Sequence, residues 1–445
     1  NSCRWCYSMG LSGIGLAEAV GGITDLETFA NNDYRHKGDA MSWLKLPRTS
    51  HVVAASTIVA FGTQILFALL MLRLFSPSDV GEFSVIGQIA TFWMTLALAQ
   101  TQLTLLANIQ LPAEQATREA WLSSIKRGGV LLPVAIGILW LSKLPIWPTL
   151  VWVLLLAFFQ MNWNLAKSFT LRVGSSLQQA SARALPTLAT VVTLLVCTLF
   201  NAQYDVTYPP LAFYALIGYI TGSFWLLSAW AKKPHVSDSH ADADTTQISL
   251  SDNRHTALKI AHSFSDVFLS TALVLIWQRF YGSVETGWMT TLLRVFNFLP
   301  VLVTMAWAQV VLAKPHQAKI NPWWIGFAAF ACIVILSACC LTAIYFEWLD
   351  ARWRGVLAYL TPLVLWQGFA CLAAAFSHRP FQTQAASTYS WACMSLVALQ
   401  TLVLIAPFGL STPMDPALHM AAFALISSVG LLGLTVWMAR LRDKT

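Results

Sequence analysis

The chain has 445 residues, 57% of them apolar and 11% charged, with a formal net charge of +7. Soluble domains carry about 25% charged residues, so the composition excludes a water-soluble enzyme, a disordered regulator and a nucleic-acid binder. What fits is an all-α polytopic membrane protein, because in lipid each helix must satisfy its own backbone polar groups.

Residues 1–40 stand outside that pattern. The apolar stretch from Met9 to Ile23 is broken by glycines and by Glu18, too interrupted to span a bilayer or form a signal-peptide core. Residues 25–40 are polar and charged. The expectation is a disordered or non-family head, with Met41 as the natural start of a short basic and aromatic segment. Cys3 and Cys6 form a lone CxxC without the second pair a zinc site needs. The other six cysteines lie in apolar runs and read as small packing residues.

A helix needs about 20 apolar residues to cross a bilayer core. Twelve windows meet this pattern, at 51–75, 82–106, 128–144, 147–166, 184–201, 209–231, 257–281, 287–313, 323–346, 355–376, 386–407 and 417–439. The third is short. With both termini in the cytoplasm, 21 of the 27 basic residues fall in inward tails, loops and span ends. Arg73, Lys143, Arg279, Arg352 and Arg354 fall outward, and Arg294 lies within a span. This bias follows the positive-inside rule, and a missed span would put the loops out of phase. The net charge therefore reports membrane orientation. The twenty tryptophans read mostly as interfacial anchors.

The longest connection, 232–256, is polar and rich in Asp, Ser and His. It reads as a cytoplasmic linker between an N-terminal six-helix lobe at 41–231 and a C-terminal one at 257–445. No Gly-Lys pair occurs, so a P-loop is absent.

The halves repeat one another. A shift of 206 residues places Arg73 on Arg279, Phe75 on Tyr281, Asp79 on Glu285 and Gly81 on Gly287. An even number of spans separates the copies, so the repeat is parallel, about an axis along the membrane normal. The predicted fold is two six-helix bundles, V-shaped around a central cavity. Arg73, Asp79, Arg279 and Glu285 are candidates for a gate across the outer mouth, against snorkelling arginines and ordinary helix starts.

RLFSPSDVGEFSVIGQIATFW, ANIQLPAEQATREA, NWNLAKSFTLRVGSSLQQASARA and IWQRFYGSVETGWMTTLLRVFNFLPVLVTMAWAQVVL, in that order, resemble successive landmarks of Wzx-type polysaccharide flippases. These belong to the multidrug/oligosaccharidyl-lipid/polysaccharide exporter superfamily. The resemblance runs from about residue 58 to 312, and the last four spans match only in hydropathy. It implies an inner-membrane flippase, not an enzyme, moving an undecaprenyl-pyrophosphate-linked glycan to the outer leaflet for O-antigen, lipopolysaccharide or capsule synthesis. Membrane lipids and a glycan polymerase are the implied partners.

One charge of each sign lies within a span, Asp266 and Arg294, and an intramembrane charge is a functional candidate by default. Arg294 suits a pyrophosphate anchor, a permanent fork of donors; the alternative is an ion pair with Asp266 that locks the hairpin. Its repeat mate is Gln88. Gln100 and Gln102 are candidates for sugar hydroxyls. His262 and Asp266, four apart on one helix face, either couple transport to a proton or simply hydrogen-bond each other; no cofactor is expected, and H+ or Na+ is the candidate coupling ion. Two other functions stay open. A multidrug exporter of the same superfamily would favour carboxylates in the cavity. A membrane glycan polymerase or glycosyltransferase would need an outward cluster, and Glu347, Asp350, Arg352 and Arg354 form the one present.

Overall fold

The computed structural model describes residues 48–99, 101, 105, 111–204, 208–231, 253–308, 311, 320–383, 385–409 and 414–441. Among the described residues the chain is helical throughout, without strands. In the N-terminal half α1 (Arg48–Leu74) is followed by α2 (Pro77–Leu98), α3 (Ala113–Val130) and α4 (Leu132–Leu141). Then come α5 (Ile146–Val173), α6 (Ser176–Tyr204), α7 (Leu211–Gly222) and α8 (Phe224–Ala231). The C-terminal half opens with α9 (Asn253–Phe296), continues through α10 (Phe298–Val303) and a π-turn at Thr304–Ala308, then α11 (Pro322–Tyr345). A 3-10 turn (Ala351–Val356) leads into α12 (Leu357–Phe376), a short α13 (Arg379–Gln382), α14 (Ala386–Ile405) and α15 (Pro416–Arg440).

Eight of the described helical segments are long and apolar enough to cross a membrane, nine with the bent α3–α4 pair. The twelve windows map in order onto α1 to α15, although α1 and α2, which hold the first two, are not among those eight. Two merge in α9, where Gly282 takes φ 84° and divides the helix into two arms, the seventh and eighth spans. That backbone is open to glycine and strained for other residues. Helix starts follow local chemistry. Ser76 and Asp79 close a capping box on α2 with Pro77 in the first turn, and α11 and α15 open on a side-chain cap followed by proline, Asn321–Pro322 and Asp415–Pro416.

The third span differs from expectation. Residues 113–127, read as a charged inward loop, form most of α3, and α4 departs from it at 49°. Pro133 in the first turn of α4 cannot continue the helical ladder. Helix α3 stays on the bundle through Trp121, whose indole donates to Asn162 at 2.8 Å and meets Trp230 edge-on at 5.0 Å. Arg127 turns back to the C-terminus of α2, donating to the carbonyls of Ala97 (2.9 Å) and Leu98 (3.1 Å). A cation there meets the negative end of the helix dipole. Helix α5 also runs past the predicted 147–166, and it carries Lys167 inward, 3.8 Å over the Trp163 ring. The cysteines divide: Cys371 and Cys393 are buried packing residues as expected, whereas Cys332 and Cys339 are exposed.

The lobes meet where the N-terminal end of α2 crosses the second arm of α9. A Cβ on Gly81 would lie 1.9 Å from the Ser283 carbonyl oxygen, and one on Gly287 would lie 1.8 Å from that of Pro77. Pro77 and Ser283 are themselves related by the 206-residue shift, so the contact is reciprocal. One turn deeper, Ser84 and its repeat mate Thr290 hydrogen-bond each other at 2.9 Å. Residues that pair with their own equivalents lie on the pseudo-two-fold axis. Helix α2 is accordingly buried nearly all round. Gly287→Ala is expected to destabilise the protein by about 1–3 kcal/mol through overpacking against backbone. Gly62→Ala, where nothing lies within 4 Å of the added carbon, is expected to raise stability by up to about 1 kcal/mol. Thermal unfolding in lipid nanodiscs checks the pair, and equal effects would contradict the glycine seam.

Candidate functional site

Between the lobes lies a cavity of about 830 Å³. Its N-terminal wall is α1 (Thr63 to Leu72), α2 (Phe83, Ser84, Gly87, Gln88), Trp163, and residues of α6 and α7. Its C-terminal wall is both arms of α9, the Asn297–Leu299 bend, and α11 with Cys332, Ile335 and Cys339. Most of these side chains are apolar, and Ile65, Leu69 and Ile335 are solvent-accessible, 53%, 58% and 61% exposed. The cavity is thus open, with Arg294 and the pseudo-axis residues Ser84 and Thr290 on one side and α1 and α11 on its flanks.

Arg294 lines this cavity and is half-buried. The second arm of α9 carries it one turn below Thr290, so the helix repeat aims it at the opposite lobe. Its Nη2 donates to Ser84 Oγ at 2.9 Å and its Nη1 lies 3.2 Å from Met71 Sδ. The guanidinium sits 4.9 Å from the centre of the Phe83 ring, a favourable cation–π placement. All these partners are neutral and belong to the N-terminal lobe. Among the described residues no carboxylate pairs with Arg294. The repeat mate Gln88 also lines the cavity, donating to the Ser270 carbonyl at 3.4 Å. The repeat is thus broken in chemistry where it is kept in backbone: one copy places an amide at the cavity, the other a permanent cation.

The other predicted site residues separate. Gln100 and Gln102 lie outside the described residues. His262 and Asp266 lie on the first arm of α9, four apart on one face, and their side chains are outside the described set. The proposed gate residues make no ion pair with one another among the described residues. Asp79 is spent on the α2 cap, accepting from the Ser76 backbone (2.9 Å) and hydroxyl (2.6 Å). Glu285 accepts from the Tyr359 hydroxyl. Arg73 is exposed at the end of α1. The outward cluster is likewise used locally, as exposed pairs Arg352–Asp350 (3.2 Å) and Arg354–Glu347 (3.1 Å).

Two features escaped the sequence reading. On α5, Gln160, Asn162 and Asn164 are all buried, and Gln160 donates to Thr91 (3.2 Å) and to the Tyr219 hydroxyl (3.4 Å) behind the cavity wall. His419, at the head of α15, is completely buried. The polar run QMNWN at 160–164 was the available signal for the first; a lone histidine beside a helix cap gave none for the second.

No family model matches this sequence, and no curated protein sequence does. Solved structures do. A multidrug resistance MATE family transporter of the MOP superfamily, in an inward-facing conformation, superposes with TM-score 0.58 at 12% identity, covering 86% of this chain and 97% of that one. The lipid II flippase MurJ, in an inward closed conformation, gives 0.56 at 13% identity, covering 88% of each chain. A mutant MATE protein gives 0.50 at 13% identity, covering 91% of this chain and 98% of that one. The chain has the multi-pass helical fold that these three structures share.

Arg294 is held by neutral groups in apolar surroundings, which makes it expensive for the resting protein. Replacing it with methionine is expected to leave the unfolding temperature in nanodiscs unchanged or higher, the gain reaching about 1–4 kcal/mol by the behaviour of other buried charges. A marked fall in unfolding temperature would show that the guanidinium serves stability.

Proposed function

We propose that the protein is a flippase for a lipid-linked oligosaccharide, carried across the bacterial inner membrane by alternating access of its two lobes, with both termini cytoplasmic. The observation that carries this reading is Arg294, a permanent cation that pairs with no carboxylate among the described residues, in an open and largely apolar cavity. A pyrophosphate between a glycan and a polyprenyl chain meets that chemistry at both ends. Guanidinium donors match phosphate oxygens in charge and geometry, and an exit between α1 and α11 leaves the chain in hydrocarbon while the headgroup moves.

Binding and opening are linked in this scheme. Arg294 belongs to the C-terminal lobe, and Ser84, Met71 and Phe83, which hold it, belong to the other. A phosphate that takes the guanidinium competes with Ser84 and loosens one tie between the lobes. Undecaprenyl pyrophosphate is the carrier suggested by the family resemblance, O-antigen or capsular glycan the cargo, and a glycan polymerase the consumer on the far side. Fold similarity alone also suits a multidrug exporter, since one structural neighbour is a multidrug resistance transporter. A cavity for cationic drugs, however, would favour a carboxylate, and its described lining presents a cation in that place.

The test is leaflet accessibility of the lipid-linked glycan in cells that depend on this protein. Charge-assisted hydrogen bonds contribute about 1.5–3 kcal/mol, so Arg294→Ala at equal expression is expected to slow translocation by about 10- to 100-fold. Arg294→Lys, which keeps charge but loses the planar fork, should fall between. Wild-type rates in Arg294→Ala, or cellular drug resistance with no change in glycan sidedness, would overturn the reading.

A further inference from the structure

Behind the corner where α9 turns at Gly282, the C-terminal lobe holds a polar cluster lying apart from the cavity. His419 is completely buried at the head of α15, with both ring nitrogens engaged. Nε2 lies 3.1 Å from the Val403 carbonyl of α14, and Nδ1 lies 2.9 Å from the Tyr281 hydroxyl. A carbonyl only accepts, so Nε2 carries the hydrogen, and in the neutral ring Nδ1 accepts from Tyr281. The Trp277 indole stacks on the imidazole at 4.8 Å and 23°. Its Nε1 donates at 3.1 Å to Tyr359 of α12, whose hydroxyl donates in turn to Glu285. Asp415, capping α15 through Leu418 N at 3.0 Å, is the other carboxylate in the electrostatic surroundings of Tyr281 and Glu285.

Tyr281 and Glu285 straddle Gly282 and Ser283, and the Ser283 carbonyl is the atom against which Gly81 packs. The cluster therefore braces the C-terminal half of the interlobe seam. The fold does not require this chemistry. At the 206-residue shift, the places of Trp277, Tyr281, Tyr359 and His419 are taken by Met71, Phe75, Val153 and Phe213. The register holds this far, since Pro210 before α7 falls on Pro416 at the start of α15. One lobe packs Phe75 at its corner against the rings of Tyr208 and Tyr214, and the other builds its corner around an imidazole.

We propose that this cluster is a proton-binding site: His419 takes up a proton at Nδ1, and the buried charge so created releases the α9 corner from Gly81. On uptake the new Nδ1–H bond is the one covalent bond formed, the Nδ1–H donates to the Tyr281 oxygen, and the Tyr281 hydroxyl hydrogen turns away from the ring. A buried imidazolium draws a carboxylate. Glu285, on the same corner, answers by leaving Tyr359, and Ser283 moves with it. The proton enters from the side of the membrane that holds the α1–α2 and α9 corners. The proposal rests on the two-lobe transport reading, but its test uses no transported substrate, so each fails separately.

Protein labelled with 15N-histidine, in lipid nanodiscs, is examined by solid-state NMR, with the His419 signal identified by its loss in His419→Gln. The expected result is a neutral, Nε2-protonated ring at about pH 8.5 that becomes imidazolium by about pH 5. Tyr281→Phe removes the oxygen that accepts from the charged ring as well as the donor to the neutral one, and because the charge-assisted bond is the stronger, the midpoint is expected to fall. Hydrogen exchange over residues 76–84 and 281–290, corrected for the intrinsic pH dependence, is expected to be about tenfold faster in the acid state. His419→Gln should abolish that difference. A ring that stays neutral across the range, or an acid-induced loosening that persists in His419→Gln, would overturn the proposal. If His419→Gln does not fold, the corner's response in Tyr281→Phe must follow the shifted midpoint for the proposal to stand.

Discussion

Two backbones meet at the pseudo-axis with no side chain between them, and the rest of the molecule is arranged around that contact. Gly81 faces the Ser283 carbonyl and Gly287 faces the Pro77 carbonyl, so the first turns of two equivalent helices are pressed together. In lipid, helix association draws little from the hydrophobic effect and depends on close packing and interhelical hydrogen bonds. The seam offers both, with the Ser84–Thr290 pair directly beneath it. Because each half contributes the same atoms, the contact has no preferred lobe, which is the mechanical condition for two bundles that rock about a shared line.

Function enters where that symmetry is broken. Below the seam, Gln88 and Arg294 occupy equivalent positions, and only the second is charged. Behind it, Phe75 and Tyr281 occupy equivalent positions, and only the second reaches a histidine. Both departures lie on α9 and both touch the seam: Arg294 through Ser84, and Tyr281 through the turn at Gly282. Headgroup recognition and proton uptake, as proposed, therefore act on the same few backbone atoms from opposite sides. That closeness gives a physical route by which either event can bias the lobes without a long chain of intermediates.

Two basic residues take structural roles at helix ends. Arg127 bonds the last carbonyls of α2, and Arg379 donates to the Ala439 carbonyl near the end of α15 at 2.6 Å. Each answers the dipole of a helix ending at the membrane face.

The sequence alone determined the class of fold, the approximate spans, the break in α9 and the duplication with its register. These depend on hydropathy over about 20 residues, on cap chemistry, and on a pattern of Arg, aromatic, acid and glycine that survives in linear order. Arg294 was legible as a charge in the wrong solvent, though its neutral partners were not, since they lie more than 200 positions away. Helix α3 was missed because a charged helix that lies on its bundle by one face has the composition of a loop. The outward acids looked free to form a gate, but local caps and hydroxyls claimed them first. His419 carried no signal at all. Its meaning comes from burial and from two other helices, one supplying a tyrosine and an indole and the other a carbonyl, and only the tertiary structure brings those together.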